Sequence, residues 1–471
     1  VITAQGSVGS AFVRNASSPR EVSVTLGATV PVGDFLVIWF VTHTAWNIAI
    51  PTDSYNWAFA YDDKLNPWTL VAATQHSDTT DGGVMVHMHV AEVQRALTSG
   101  DKVYARVGNH FSGNTWARAM SVEQFSVSAG NRLAISGEGF TANSDGSPSD
   151  PAAISFDFPG PDREVLFIHG LGFRGPVTDT FTWDSDYTQI VAAGSNTGTP
   201  NDDRTIMGGY RIDTLSGNAD SVDVTSTTDR SWAQVMQALV EVRQPVGFPI
   251  SPVRDDFNRA DESPLDGGLW YTDRRSFGSD MLDLTSNQTS GGGGSQFIGE
   301  LERCQEVYGT ITDWSDSVIH FNADGDVALA NFEARGAEWM NPHIDQLEAH
   351  CVQFGLVNSI FGRIDHRMLS YPVGDIYPSD PSDGVKMGIR RARQAELYVD
   401  HLFLDTLDGD GWRCMGSMCV SVNSGVAFEG RMSIGTVSGK WDDFGGGEIP
   451  CFEWIPQIYR RQWEFEGVPL G

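Results

Sequence analysis

The first half of the chain repeats itself. Trp68-Thr69-Leu70-Val71-Ala72-Ala73 returns as Tyr187-Thr188-Gln189-Ile190-Val191-Ala192-Ala193, and Trp116-Ala117-Arg118-Ala119-Met120 returns as Trp232-Ala233-Gln234-Val235-Met236. The two landmarks stand 48 residues apart in the first copy and 45 in the second. An apolar run precedes each pair: Phe35-Leu36-Val37-Ile38-Trp39-Phe40-Val41, then Val165-Leu166-Phe167-Ile168. Landmarks that recur in one order at nearly one spacing mean a duplicated folding unit. Val84, Val86, Met88 and Val90 alternate with Met85, His87 and His89, the period of two that marks a strand. Strands are expected at Phe35–Thr42, Val84–Val93 and Lys102–Val107 in the first copy, and at Glu164–Phe173, Thr205–Ile212 and Ala233–Val242 in the second.

The expected fold class is all-β: two tandem related β-sandwich repeats followed by a jelly-roll sandwich. The repeats take residues 1–128 and 129–245, a proline-rich linker 246–252, and the last unit 253–471. Pro245, Pro249 and Pro252 fall within eight residues; they cannot continue a strand ladder and make a short stiff connection. Gly291 to Gly294 with Ser295 reads as a flexible loop, and Asn341-Pro342 opens a short helix.

Charge and cysteine usage narrow the function. The formal net charge is −30. Such a surface repels phosphate backbones, so neither nucleic acid nor an anionic membrane is expected as a partner. No run reaches the ~18 apolar residues of a spanning helix, and no secretory signal is expected at the opening residues. The five cysteines, odd in number and without a C-x-x-C pair, argue against a disulfide framework or a zinc site. Synthesis in a reducing cytoplasm is expected.

Asp255-Asp256-Phe257-Asn258-Arg259-Ala260-Asp261, followed by Pro264-Leu265 and Trp270, resembles the opening of concanavalin A-like (laminin-G-like) jelly rolls. Such openings are common in virion proteins of tailed bacteriophages of high-GC Gram-positive hosts. In that fold the first and last strands lie side by side, and Trp441-Asp442-Asp443-Phe444 looks like the closing strand. Gly33-Asp34 before the first apolar run, with Trp68 and the late Trp-Ala strand, resembles another phage-associated sandwich. In the second copy Asp162 lacks the Gly and Tyr187 replaces Trp. The resemblance implies a minor tail protein at the tail tip or baseplate, a homo-oligomer (a trimer around the tail axis) whose partners are other tail proteins and host cell-wall polysaccharide.

Catalytic motifs are sparse. No G-x-S-x-G elbow, H-E-x-x-H or Walker loop occurs. Ile168-His169-Gly170-Leu171-Gly172 faintly resembles an oxyanion turn, but a strand end with glycine turns explains it. Glu300-Leu301-Glu302 is the nearest approach to a glycosidase acid pair. His87 and His89 share a strand face and are read as exposed strand histidines or, with a third ligand, a metal site. Asp405, Asp408 and Asp410, interleaved with Gly409 and Gly411, offer the hard oxygens that Ca²⁺ takes; an ordinary hairpin turn uses the same residues. Trp46, Trp57 and Tyr61, in the aromatic loop Thr44 to Pro67, and Trp412 are the candidates for contact with carbohydrate or a partner protein. The expected protein is therefore not an enzyme. The alternatives are a lectin, a capsid decoration protein and a polysaccharide-degrading tail enzyme.

Overall fold

The structure, a computed structural model, describes residues 1–14, 21–44, 58–64, 66–76, 83–107, 117–143, 151, 153–157, 163–179, 181–196, 203–215, 219–226, 228–245, 247–251 and 253–257. Further along it describes strands at 283–285, 288–290, 293–296, 305–313, 318–322, 350–356, 360–366, 369–377, 385–394, 397–406, 411–420, 433–436 and 440–448. The chain is all-β. Among the described residues no helix is long and apolar enough to cross a membrane.

Two large sheets dominate. In one, the N-terminal strands run in the order Thr3–Arg14, Ala117–Ser126, Phe35–Thr44, Gly83–Glu92, Trp68–His76. In the other, the order is Asn131–Asn143, Trp232–Arg243, Arg163–Arg174, Arg204–Leu215, with Thr188–Gln189 and Ala193–Gly194 both on the last. In each case the first strand lies beside the last, and the last beside the apolar strand.

The apolar strands are apolar throughout because they are buried on both faces. Leu36, Ile38 and Phe40 turn to one side and join Val22, Val24, Val103 and Ala105 in a core under a small outer sheet. That outer sheet is formed by Glu21–Thr25, Lys102–Val107 and Ala58–Asp62. Val165, Phe167, Leu171 and Phe173 likewise join Phe181, Trp183, Val222 and Val224. Those partners come from the pairs Ile154–Asp157 with Ala219–Val222, and Phe181–Trp183 with Val224–Ser226.

The opposite faces meet each other. The Trp39 indole N–H donates to the His169 carbonyl at 2.9 Å. Its ring lies where side chains on two glycines would be: a Cβ on Gly170 would stand 2.9 Å from Trp39 Cδ1, and one on Gly208 2.8 Å. A Cβ on Gly172 would come 2.3 Å from Val86 Cγ2 and 2.8 Å from Val41 Cγ2. The Ile168-His169-Gly170-Leu171-Gly172 stretch is thus mid-strand, within Arg163–Arg174. Its glycines are grooves for the facing sheet, correcting the expectation of a strand end with turns. The result is four layers, small sheet on large sheet on large sheet on small sheet.

The C-terminal strands extend both large sheets. Leu369–Tyr377 joins the first sheet at Trp68–His76 with Val373 opposite Thr69, and Ile360–His366, His350–Leu356, Val318–Asn322, Ser433–Thr436 and Gly293–Gln296 follow. Gly411–Val420 joins the second, parallel to Asn131–Asn143, with Leu397–Thr406, Val385–Gln394, Gln305–Asp313, Lys440–Glu448 and Val253–Asp255 beyond it. The strand entering this unit therefore pairs antiparallel with Lys440–Glu448. The Gly-Gly-Ser stretch expected to be a loop is in part an edge strand, because Gly293–Gln296 finds Ser433–Thr436 as a partner. The helix expected at Asn341-Pro342 lies outside the described residues.

Two buried ion pairs tie the units together. Arg132 meets Glu92 at 2.9 Å, and the Arg132 guanidinium and Gln94 amide both donate to the Cys414 carbonyl. One node thus links the first sheet, the second sheet and the C-terminal strands. The other pair holds the linker: Arg390 donates twice to Glu306 Oε2, at 2.7 and 3.0 Å. Glu306 Oε1 accepts the amide of Ile250 at 2.6 Å and the hydroxyl of Ser251 at 2.7 Å. Phe248 stacks on Phe403 with centroids 3.9 Å apart. The proline-rich connection is stiff by composition and also pinned by charge.

Candidate interaction face

The small outer sheet over the first large sheet has one face in the core and one turned outward. Alternation sets this: Val22, Val24, Val103, Ala105 and Ala60 are buried, while Glu21, Thr25, Lys102, Tyr104, Arg106 and Tyr61 are partly or fully exposed. Backbone register places Glu21 opposite Arg106, and Tyr104 between Ser23 and Tyr61.

Tyr61 and Tyr104 stack across the strands with centroids 4.5 Å apart and planes 7° from parallel, a favoured cross-strand aromatic arrangement. The Tyr61 hydroxyl donates to Glu21 Oε2 at 2.7 Å and the Tyr104 hydroxyl to Asp63 Oδ1 at 3.0 Å. The two phenols are therefore clamped in place by carboxylates. Partial burial, then the bond to Glu21, pushes the Tyr61 hydroxyl well above its ordinary range; partial burial, then the bond to Asp63, raises Tyr104. Both stay neutral donors at physiological pH. Lys64 approaches Asp101 at 3.4 Å beside them. Aromatic surface bordered by fixed acids and by Lys102 and Arg106 suits a polar ligand with apolar C–H faces, or a protein partner.

Of the residues singled out in the sequence, Tyr61 is the one this face contains. It stands on the Ala58–Asp62 strand, not in a loop, because Ala58–Asp62 pairs with Lys102–Val107. Trp46 and Trp57 lie outside the described residues. Trp412 is half-buried in the Gly411–Val420 strand and packs edge-on against Phe248 at 4.8 Å and Tyr308 at 6.2 Å. Asp405 sits on Leu397–Thr406 opposite Trp412; Asp408 and Asp410 lie outside the described residues. Among the described residues no group of three His, Cys, Asp or Glu is placed to hold a metal.

His87 and His89 are not exposed: both rings are buried in the first sandwich, 6.1 Å apart. They face inward with Met85 and Ala91, which is why the strand looked half-polar although all its residues are buried. Burial holds His87 neutral, pushing its pKa down to about 3. Tyr104 was missed because its significance lies in the cross-strand pairing with Tyr61, which no local pattern announces. No family model matches the chain, and no curated protein is similar to it.

Proposed function

We propose that the chain is a structural protein of a phage particle, a minor tail protein at the tail tip or baseplate, that contributes to attachment to host cell-wall glycan. The observation that carries this reading is the antiparallel pairing of Val253–Asp255 with Lys440–Glu448, the arrangement implied by the resemblance of the Asp-Asp-Phe-Asn opening to the jelly rolls of such proteins. Within that opening, Asp255 Oδ1 accepts the Phe257 amide at 2.8 Å. Phe257 is buried with a φ of 52°. The first aspartate of the motif thus fixes the bend by which the chain leaves its first strand.

The attachment role rests on the Tyr61–Tyr104 face. A sugar site of millimolar affinity supplies only about 4 kcal/mol, so the proposal includes a homo-oligomer, a trimer about the tail axis, in which repeated weak contacts raise avidity by roughly 10² to 10⁴. The rival reading, a free-standing lectin, uses the same face without assembly.

The test is sedimentation of the full chain with purified cell walls from a panel of high-GC Gram-positive bacteria, beside Tyr61→Ala/Tyr104→Ala. Binding to some walls, and at least about tenfold weaker binding by an equally stable double variant, is the expected result. Binding that ignores the substitutions, or no binding to any wall, removes the attachment role. Strong binding by a chain that stays monomeric favours the lectin.

A further inference from the structure

The two repeats pack as a pseudo-twofold pair. Matched by their order, Thr3–Arg14 corresponds to Asn131–Asn143, Phe35–Thr44 to Arg163–Arg174, and Gly83–Glu92 to Arg204–Leu215. Trp68–His76 corresponds to a broken strand, Thr188–Gln189 with Ala193–Gly194. The contacts between the sheets are then reciprocal. Phe35–Thr44 lies on Arg204–Leu215 as Arg163–Arg174 lies on Gly83–Glu92. Trp68–His76 lies on Asn131–Asn143 as Ala193–Gly194 lies on Thr3–Arg14.

The stack therefore has two equivalent ends. At one, the chain's own Leu369–Tyr377 continues Trp68–His76, and its Gly411–Val420 continues Asn131–Asn143. At the other, Thr3–Arg14 and the broken strand end their sheets, with no further strand among the described residues. That open end is apolar. Ala11 and Val13 pack against the first core, so Phe12 between them turns to the mouth of the interlayer, 56% exposed. Val191, 50% exposed, lies in the break of the broken strand. Its carbonyl accepts the Ser121 hydroxyl at 2.7 Å, and Ser121 is in register with Ser10. Both register shifts of the edge strand fall before Ser10, so Ser10–Arg14 is a regular edge on which another strand can build.

The far ends of the same two sheets are Gly293–Gln296 and Val253–Asp255. Val253 is 49% exposed there and Ile250 beside it 48%. Among the described residues, four of the six exposed large apolar side chains thus sit at the two ends of the stack.

We propose that copies of the chain associate head to tail. The Val253–Asp255 and Gly293–Gln296 end of one copy continues both large sheets at the Thr3–Arg14 end of the next. Added strands are the occupant this end fits, because strands of the same chain cover the equivalent end. A second copy supplies them, because its far end carries strand edges on both sheets and exposed aliphatic side chains. Such a contact joins two different surfaces, so it closes into a ring where the rotation between copies allows. It supplies the surface for the homo-oligomer proposed above and rests on that reading only for the number of copies.

The experiment is sedimentation velocity of the full chain over a concentration series, beside Phe12→Asp, Val253→Asp and an equimolar mixture of the two. The wild type is expected to associate, and each variant to need at least about tenfold higher concentration. Both variants should keep the wild-type Tm, since each side chain is exposed within one copy. Each also keeps one intact end, so the mixture should form dimers and nothing larger. Association that both variants retain overturns the head-to-tail contact while leaving the homo-oligomer standing. Loss with Phe12→Asp alone means that two Thr3–Arg14 edges pair with each other, which also overturns it. A wild type that stays monomeric throughout removes both.

Discussion

His87, His89 and His169 have a property no surface histidine shares: each is buried deep in a sandwich core and held neutral. His169 offers Nε2 to Gln234 at 3.0 Å and packs edge-on to Trp183 at 4.7 Å. Desolvation still pushes its pKa down to about 3, as it does for His87, and lowers His89 well below its ordinary value. In the unfolded chain these rings protonate near pH 6.5. The unfolded state therefore binds more protons, so the stability these sites allow is full above pH 6.5 and is lost as pH falls from there toward 3, by up to about 1.4 kcal/mol per pH unit per ring. Urea midpoints measured from pH 8 to pH 4 should show His87→Phe gaining on the wild type as pH falls. Parallel curves would mean the ring is solvated. The alternation of Val84 to Val90 revealed that a strand was there. It did not reveal that both its faces were covered, because a neutral histidine and an exposed one look alike until the facing sheet is known.

At the scale of strands, most of what the residue pattern offered concerned position along the chain. Phe35–Thr44, Lys102–Val107 and Trp232–Arg243 lie where apolar runs and alternation put them. Strands with weak patterns were not legible: Thr3–Arg14 carries alternating small polar residues and two register shifts, and Ala58–Asp62 hides among aromatics. The glycines misled most, since Gly170 and Gly172 are spaced like turn residues but answer to Val41, Val84, Val86 and Trp39 across the interlayer. Gly172→Ala should destabilise the chain by about 1 to 3 kcal/mol through overpacking. Gly27→Ala, where nothing lies within 4 Å of the new carbon, should stay within about 0.5 kcal/mol in the same denaturation series. Equal effects would refute the close approach of the sheets. The linker offers a second check. Glu306→Ala leaves Arg390 buried beside Phe248 and Phe403 and should cost roughly 3 to 5 kcal/mol, whereas Glu306→Leu/Arg390→Met should cost much less. A single variant as stable as the double would show that the pair is solvated.

For the whole molecule, the repeat pointed to two sandwiches, and the finding that matters is how they face. Their large sheets are stacked with Trp39, Val41 and Val86 against Gly170, Gly172 and Gly208, so each unit alone would expose an apolar face. Residues 1–245 expressed together should fold. Residues 129–245 alone should aggregate or bind hydrophobic dye strongly, and a soluble, dye-silent fragment would contradict the stacking. Sequence could not supply this, since which face of a doubly buried strand meets which neighbour is decided by tertiary packing. The pairing of Val253–Asp255 with Lys440–Glu448 was expected only from the resemblance of the Asp255-Asp256-Phe257 opening to jelly rolls, because no local pattern names a partner nearly two hundred residues away. The scaffold that results is rigid inside, with the Tyr61–Tyr104 pair displayed outside. Immunogold electron microscopy of purified phage particles, using antibody raised against the full chain, tests the proposed role most directly. Gold at the tail tip or baseplate is the expected result; particles that carry no label, or carry it on the capsid, would contradict it.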